Sequence, residues 1–296
     1  MDQTAADKIS GDATARILRD EMARRALVDP NSVWTPYHGG RTNRIWKIDD
    51  ASGSLVCKLF DPRGGTLLFP NDIAAESKAL AALAGSTIAP ELIENLVTSL
   101  GDCLIYAHVA GTIWQGDLVG VATTLARLHA TRPVPEFRKI DRGAAGIRDI
   151  GLAILADCSA AARAELIDIL PVDAAPAAPI KAVFLHGDLV PGNIICNDQT
   201  ITFIDWQCPA LADPCEDIAT FLSPAMQTLY GHRQLSPPEV DAFLTAYANP
   251  PIARRYRELR AVFHWRMAAH CTWKAERGFS DYHAAARLEL DALQQV

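Results

Sequence analysis

Residues 184–193 read FLHGDLVPGN, and two oxygen-bearing side chains stand five positions apart in this stretch, Asp188 and Asn193. Twelve residues beyond Asn193, the apolar run ITFIDW brings a further carboxylate, Asp205, followed by Trp206. Taken singly, Asp and Asn are ordinary turn residues, as are the glycines and the proline between them. As an ordered set at the ends of short apolar runs, two carboxylates and a carboxamide can converge on one point. Oxygen ligands of that kind suit Mg²⁺, and magnesium in turn points to a polyphosphate. His186, at the head of the set, either orients the loop by hydrogen bonding or joins the chemistry.

The remaining composition limits what such a set could serve. A chain of 296 residues, 49% hydrophobic and 21% charged, has length for two lobes or domains and enough apolar surface for a substantial core. A formal charge of −7 argues against a nucleic-acid partner, whose phosphates need basic patches. Seven cysteines, odd in number and without a C-x-x-C pair, indicate neither a disulfide framework nor a zinc site. They read as small buried hydrophobes in a reducing compartment. The first residues, MDQTAADKIS, lack an apolar signal-like core, and no run is long enough to span a bilayer. The expectation is a soluble cytoplasmic protein without a membrane partner.

The elements that must position these residues follow from periodicity. Residues 10–28 carry Ile17, Leu18, Met22, Ala26 and Leu27 at helical spacing, with Asp29-Pro30 as the stop. Strands are predicted at 34–37, 44–48 and 55–60, then a helix after Pro70 capped by Asn71 or Asp72 and ended by Gly85, then strands at 91–98 and 103–108. Beyond residue 110 the spacing predicts helices over 117–130, 147–170, 217–229, 238–248, 252–276 and 281–293. A linker-like DAAPAAP lies at 173–179, and a small hairpin is expected at 194–195 and 201–204. Lys58 sits inside the apolar run LVCKLF, where it faces solvent on an edge strand or finds a charged partner. Glu76, on the helix after Pro70, is either an exposed helix charge or that partner.

With these residues assembled, the chain resembles the aminoglycoside phosphotransferase and choline kinase family, whose fold is protein-kinase-like. The loop H-G-D-x-x-x-x-N at 186–193 matches the family's catalytic loop, and Ile204-Asp205-Trp206 stands where the family has its second magnesium-binding aspartate. ADPCEDIATFL at 212–222 and TLARLHA at 124–130 continue the likeness, as does Gly39-Gly40 followed by Thr42-Asn43. The resemblance spans about residues 33–222. It implies an α+β, two-lobe fold: an N-terminal nucleotide-binding lobe, residues 1–109, with a five-stranded antiparallel sheet plus helix, and a mainly helical C-terminal lobe, residues 110–296, with the catalytic loop and substrate site.

The resemblance also implies roles. Asp188 would accept or orient the proton of an attacking hydroxyl, while Asn193 and Asp205 would hold Mg²⁺ against the phosphates of ATP. His186 and Asp217 would brace the loop. Lys58, held by Glu76, would meet the α- and β-phosphates, and backbone N–H groups of Gly39, Gly40 and Thr42 would cover them. The segment containing Tyr106 and His108 would read the adenine edge. The implied activity is an ATP- and Mg²⁺-dependent kinase acting on a hydroxyl of a small metabolite: an amino alcohol of the choline or ethanolamine type, a sugar or a vitamin-type alcohol. The alternatives are an aminoglycoside O-phosphotransferase and a nucleotide-binding pseudokinase. A metal-dependent hydrolase lacks the further ligands of a two-metal site.

Substrate selection has weaker signals. Trp265 and Trp273 lie eight apart on one predicted helix, and Trp206 adjoins Asp205. Such rings either pack a core or, as in choline kinases, wall a cage around a quaternary ammonium.

Overall fold

In the computed structural model of the protein, the described residues are 3–37, 42–51, 53–140, 143–171, 180–198 and 200–296, with backbone only for 3–12. The predicted linker at 173–179 lies outside them. The chain divides into two compact units, Met1–Thr66 with Pro70–Ala110, and Leu67–Phe69 with Gly111–Val296.

The N-terminal unit runs α1 (Gln3–Arg24), β1 (Val33–Tyr37), β2 (Arg44–Asp50), β3 (Gly53–Leu59), α2 (Ile73–Ala82), β4 (Leu92–Thr98) and β5 (Gly101–Ala107). The strands form an antiparallel sheet in the order β1-β2-β3-β5-β4. Ala15, Leu18 and Met22 of α1 pack on the face carrying Trp46, Ile48, Cys57, Leu59, Cys103 and Ile105. Leu18 and Met22 are fully buried, each worth roughly 1.5–3 kcal/mol of burial. Side chains alternate along a strand, so the step that sends Cys57 and Leu59 to α1 sends Lys58 to the opposite face. Helix α1 ends before reaching the expected Asp29-Pro30 stop. Ala26 takes a left-handed φ of 57°, and the Leu27 N–H reaches back to the Met22 carbonyl at 3.1 Å, closing the helix with a Schellman-type turn.

The C-terminal unit contains β6 (Thr112–Ile113), α3 (Leu118–His129), β7 (Arg138–Lys139), α4 (Ala144–Ala156), α5 (Ala160–Asp168), β8 (Val183–Leu185), β9 (Ile194–Cys196), β10 (Ile201–Phe203) and β11 (Ala210–Ala212). Helices α6 (Cys215–Leu222), α7 (Pro224–Leu229), α8 (Pro237–Ala246), α9 (Pro250–Ala275) and α10 (Asp281–Leu293) follow. The long α9 is the axis of its core, with α4 and α10 packed along it. An added Cβ on Gly151 of α4 would lie 2.2 Å from the Trp265 ring, so the close approach of the two helices requires a glycine there. Among the described residues no helix is long and apolar enough to cross a membrane. All seven cysteines are free thiols, six buried and Cys196 partly so.

Two helices predicted as continuous are broken. Over 147–170 the chain turns at Asp157, and Ser159 restarts it by accepting the Ala162 N–H at 3.3 Å. Over 217–229 Ser223 plays the same part for the Met226 N–H, with Pro224 in the first turn where it has no amide hydrogen to lose. The hairpin of β9 and β10 forms as expected, pairing Cys196 with Ile201. It gains a third strand, β6, whereas β8 joins β11 and β7 in a separate sheet. Strands β6, β7, β8 and β11, of two or three residues and without a flanking hairpin turn, carry too little periodicity to be read from sequence.

Candidate active site

Strand β8 ends at Leu185 and hands His186 directly to the loop. Gly187 adopts φ +83°, and a Cβ there would meet the Cys208 carbonyl oxygen at 2.0 Å, so only glycine fits. The backbone at this point is fixed from α6. Asp217, in its first turn and fully buried, accepts the His186 N–H through Oδ2 and the Gly187 N–H through Oδ1, both at 2.8 Å. The same Oδ2 accepts from His129 Nε2 at 3.1 Å, and His129 Nδ1 is 2.7 Å from the Tyr247 hydroxyl. Burial, the largest influence, pushes the Asp217 carboxyl up. The hydrogen bonds from His129 and the Gly187 N–H outweigh it and hold Asp217 below its ordinary range.

His186 is fully buried and bonded at both nitrogens. Nε2–H donates to the Ile204 carbonyl at 3.0 Å, and Nδ1 accepts the Asp188 N–H at 3.3 Å; that pair of bonds describes the neutral imidazole. Its ring packs 4.5 Å from Trp206. His186 therefore links the start of the loop to the residue before Asp205.

Asn193 closes the loop. Its Nδ2 donates to the Asp188 carbonyl at 2.9 Å and lies 3.5 Å from Asp188 Oδ2, while its own carbonyl accepts the Ile204 N–H at 2.9 Å. Asp188, Asn193 and the Ile204-Asp205 step are thus brought together. Asp205 has φ 64°, a left-handed conformation that Asp tolerates better than most residues but that still costs on the order of 1 kcal/mol. With Nδ2 committed to Asp188, the Asn193 atom remaining to face a cation is Oδ1.

The acidic stretch around Asp217 does more than sequence reading assigned to it. Asp213 accepts from Arg255 Nε at 2.6 Å and caps the Cys215 N–H at 3.0 Å. Glu216 accepts both terminal nitrogens of Arg266, at 3.0 and 2.6 Å. Both ion pairs are buried. Arg255 and Arg266 are 11 positions apart on α9 (266 minus 255), three helical turns, so both reach the same side. His129, Tyr247, Asp213, Glu216 and the two arginines received no individual role from the sequence. The available signal was charge arithmetic: carboxylates packed in an apolar segment need cations, and α9 offers two at matching turns.

In the N-terminal unit, Lys58 Nζ lies 2.5 Å from Glu76 Oε2, with both side chains essentially inaccessible, and 4.8 Å from the centre of the Phe60 ring. Asp72 caps α2 through the Ala75 N–H at 3.0 Å. Asn71 instead makes reciprocal amide bonds with the buried Asn43, 2.9 and 2.8 Å, and Asn43 Oδ1 also accepts the Asp61 N–H at 3.0 Å. This clamp fixes the end of the turn predicted to cover phosphates. Thr42 is half-buried, whereas His38, Gly39, Gly40 and Arg41 lie outside the described residues. Tyr106 is buried within β5. His108 follows it, with Nε2 2.9 Å from the Tyr37 hydroxyl; burial, with the Lys47 charge, lowers its pKa. The N–H groups of Ala107 and His108 are committed to the carbonyls of Glu91 and Ser54.

The three tryptophans do not form a cage. Trp265 is fully buried, its indole N–H donating to the Leu166 carbonyl at 2.7 Å. Trp206 is equally buried, donating to the Phe203 carbonyl at 2.8 Å. Over Trp273 the Arg277 guanidinium already stands 3.8 Å from the ring centre. Core packing claims the first two rings, and an internal cation covers the third.

His270, one turn before Lys274 on α9, is buried with its ring edge-on to Phe69 at 5.0 Å. Burial, then the charges of Lys274 and Arg266, lower its pKa to about 3, from 6.5. The unfolded chain takes up this proton near pH 6.5 and the folded chain only near pH 3, so stability falls as pH drops through that window, by roughly 1.4 kcal/mol per unit. His270→Phe is expected to flatten urea-unfolding free energies between about pH 6.5 and 4.5, recovering roughly 2–3 kcal/mol at the lower value. An unchanged slope would assign the acid sensitivity to other groups.

Comparison with known proteins fits this geometry. The model of the phosphotransferase enzyme family (APH) matches residues 33–261. Protein LicA of Haemophilus influenzae is 34% identical over 85 residues, a match covering 29% of this chain and only 28% of LicA. Among solved structures, a choline/ethanolamine kinase family protein from Mesorhizobium loti superposes with a TM-score of 0.70 at 16% identity, covering 97% of this chain and 94% of its own. Choline kinase from Cryptosporidium parvum gives 0.63 at 12% identity, covering 95% and 97%. A thermostable mutant of the aminoglycoside phosphotransferase APH(4)-Ia, in a ternary complex with ADP and hygromycin B, gives 0.65 at 13%, covering 93% and 96%. These structures share the α+β kinase-like fold expected from the sequence. The family match takes in Lys58, Glu76, the 186–193 loop, Asp205 and Asp217 alike, and the chain belongs to the phosphotransferase enzyme family.

Proposed function

We propose that this phosphotransferase moves the γ-phosphoryl group of ATP to a hydroxyl of a small metabolite, with an amino alcohol of the choline or ethanolamine type as the leading acceptor and a sugar or vitamin-type alcohol next. The observation that carries the reading is the 186–193 loop. Asp217 and His186 bond its backbone on one side and Asn193 bonds it on the other, so the Asp188 carboxylate is presented on a preorganised frame. Asp188 takes or orients the proton of the attacking hydroxyl. Asn193 Oδ1 and the Asp205 carboxylate are hard oxygen donors, and Mg²⁺ is commonly held by one or two such groups plus substrate phosphates. Mg²⁺, when bound, would neutralise charge on the phosphoryl oxygens. Lys58, aimed by Glu76, is the cation for the α- and β-phosphates. The backbone beyond His108 is left to read adenine, since the two amides before it are engaged in the sheet.

An aminoglycoside acceptor is disfavoured by one observation. Of the C-terminal carboxylates that could meet a polyamine, Glu289 is buried and bonded to Ser223, the Ala225 N–H and His264. A coupled ADP-release screen over choline, ethanolamine, thiamine, sugars and aminoglycosides tests the proposal. Release above background with one hydroxyl compound and Mg²⁺ supports it. Background release with every class would favour a nucleotide-binding pseudokinase.

A further inference from the structure

A second concavity lies within the N-terminal unit, away from the Lys58 face of the sheet. Helix α1 and the chain entering β1 enclose a surface crevice of about 350 Å³ lined by Arg16, Arg19, Asn31, Ser32, Val33 and Trp34. That volume is at the lower end of small-molecule sites, roughly 300–1,000 Å³. Its chemistry is one-sided. Arg16 and Arg19 lie one turn apart on α1 and so project from the same face. Arg16 makes no ion pair among the described residues, and Arg19 has only the Asp20 carboxylate, 3.9 Å from its Nε. That Nε–H is buried and donates to no acceptor among the described residues.

Opposite the arginines stands Trp34, half-buried, its indole N–H fixed by the Ser32 hydroxyl at 3.1 Å. The ring is further packed against Trp46 at 6.3 Å, so it is a rigid wall. The Asn31 carboxamide borders the crevice, its backbone held by Asp29 at 2.7 Å. Two guanidinium forks recognise a planar or tetrahedral oxyanion, and an indole face recognises a ring.

We propose that this crevice binds a small ring-bearing oxyanion, a phosphate monoester or a carboxylate, with Arg16 and Arg19 on the anionic group and Trp34 on the ring. The site is independent of the phosphoryl-transfer machinery. It adjoins the helix that packs behind β3, the strand of Lys58.

Isothermal titration of the full chain with phenyl phosphate, benzoate, inorganic phosphate and benzyl alcohol tests it. Saturable binding of phenyl phosphate or benzoate, and none of the alcohol, is expected, and comparison of the two anions decides between phosphate and carboxylate. Arg16→Gln with Arg19→Gln should weaken that binding at least about tenfold. Trp34→Leu should weaken phenyl phosphate while leaving inorganic phosphate unchanged. Binding must persist in the Lys58→Met, Glu76→Leu double variant, because loss there would place the ligand at the nucleotide site instead. Absence of saturation up to about 10 mM, or equal affinity in the double variant, would overturn the proposal.

Discussion

Asp188→Asn protein should fold normally and bind Mg-ATP, yet transfer phosphoryl groups about a thousandfold more slowly. The magnitude is that of removing a positioned general base, 10² to 10⁴. The substitution is nearly isosteric, and the contacts that shape the loop at this position run through the backbone: the Asp188 N–H to His186 and the Asp188 carbonyl to Asn193. Those survive, so thermal unfolding and nucleotide titration should match the unaltered protein while the steady-state turnover collapses. Turnover within a few-fold of the original would remove Asp188 from its role as base.

The second large effect concerns Lys58 and Glu76. Glu76→Gln deprives a buried ammonium of the carboxylate 2.5 Å away, a change that costs about 3–5 kcal/mol when a buried pair is broken from one side. Lys58→Met breaks it from the other. Combining Lys58→Met with Glu76→Leu removes both charges, and replacement of a buried pair by apolar groups is often neutral, so stability in urea should return toward that of the original chain. Activity should not return if Lys58 serves the phosphates as proposed. A double variant that recovered both stability and turnover would show the pair to be structural only.

Legibility in the sequence followed the range of the interaction. Lys58 stood out because an ammonium in an apolar run needs an explanation within its own strand, and the ordered loop 186–193 announced itself through local spacing. Asp72 was legible as a cap because capping reaches only three residues, to Ala75. His129 was not, since its meaning depends on Asp217, 88 residues away. Asp213 and Glu216 likewise acquire roles only when α9 brings Arg255 and Arg266 alongside. Trp265 and Trp206 carried the right composition for a cage, but ring type does not encode burial. The breaks at Ser159 and Ser223 were lost because apolar periodicity ran through them on both sides, and a single capping hydroxyl is a weak signal against it.

The five residues 213–217 also set an order of events in biosynthesis. They fasten backward to the loop at 186 and 187 and forward to α9, where the Glu216 partner lies 50 residues downstream. At about 5–20 residues per second, synthesis of that interval takes roughly 3–10 s. Throughout it, Glu216 lacks the arginine that later clasps it. Asp217 sits in the same helical turn but bonds groups made before it, His129 and the loop at 186 and 187. A nascent chain therefore completes the clasp between this acidic turn and its core helix late, when α9 is in place.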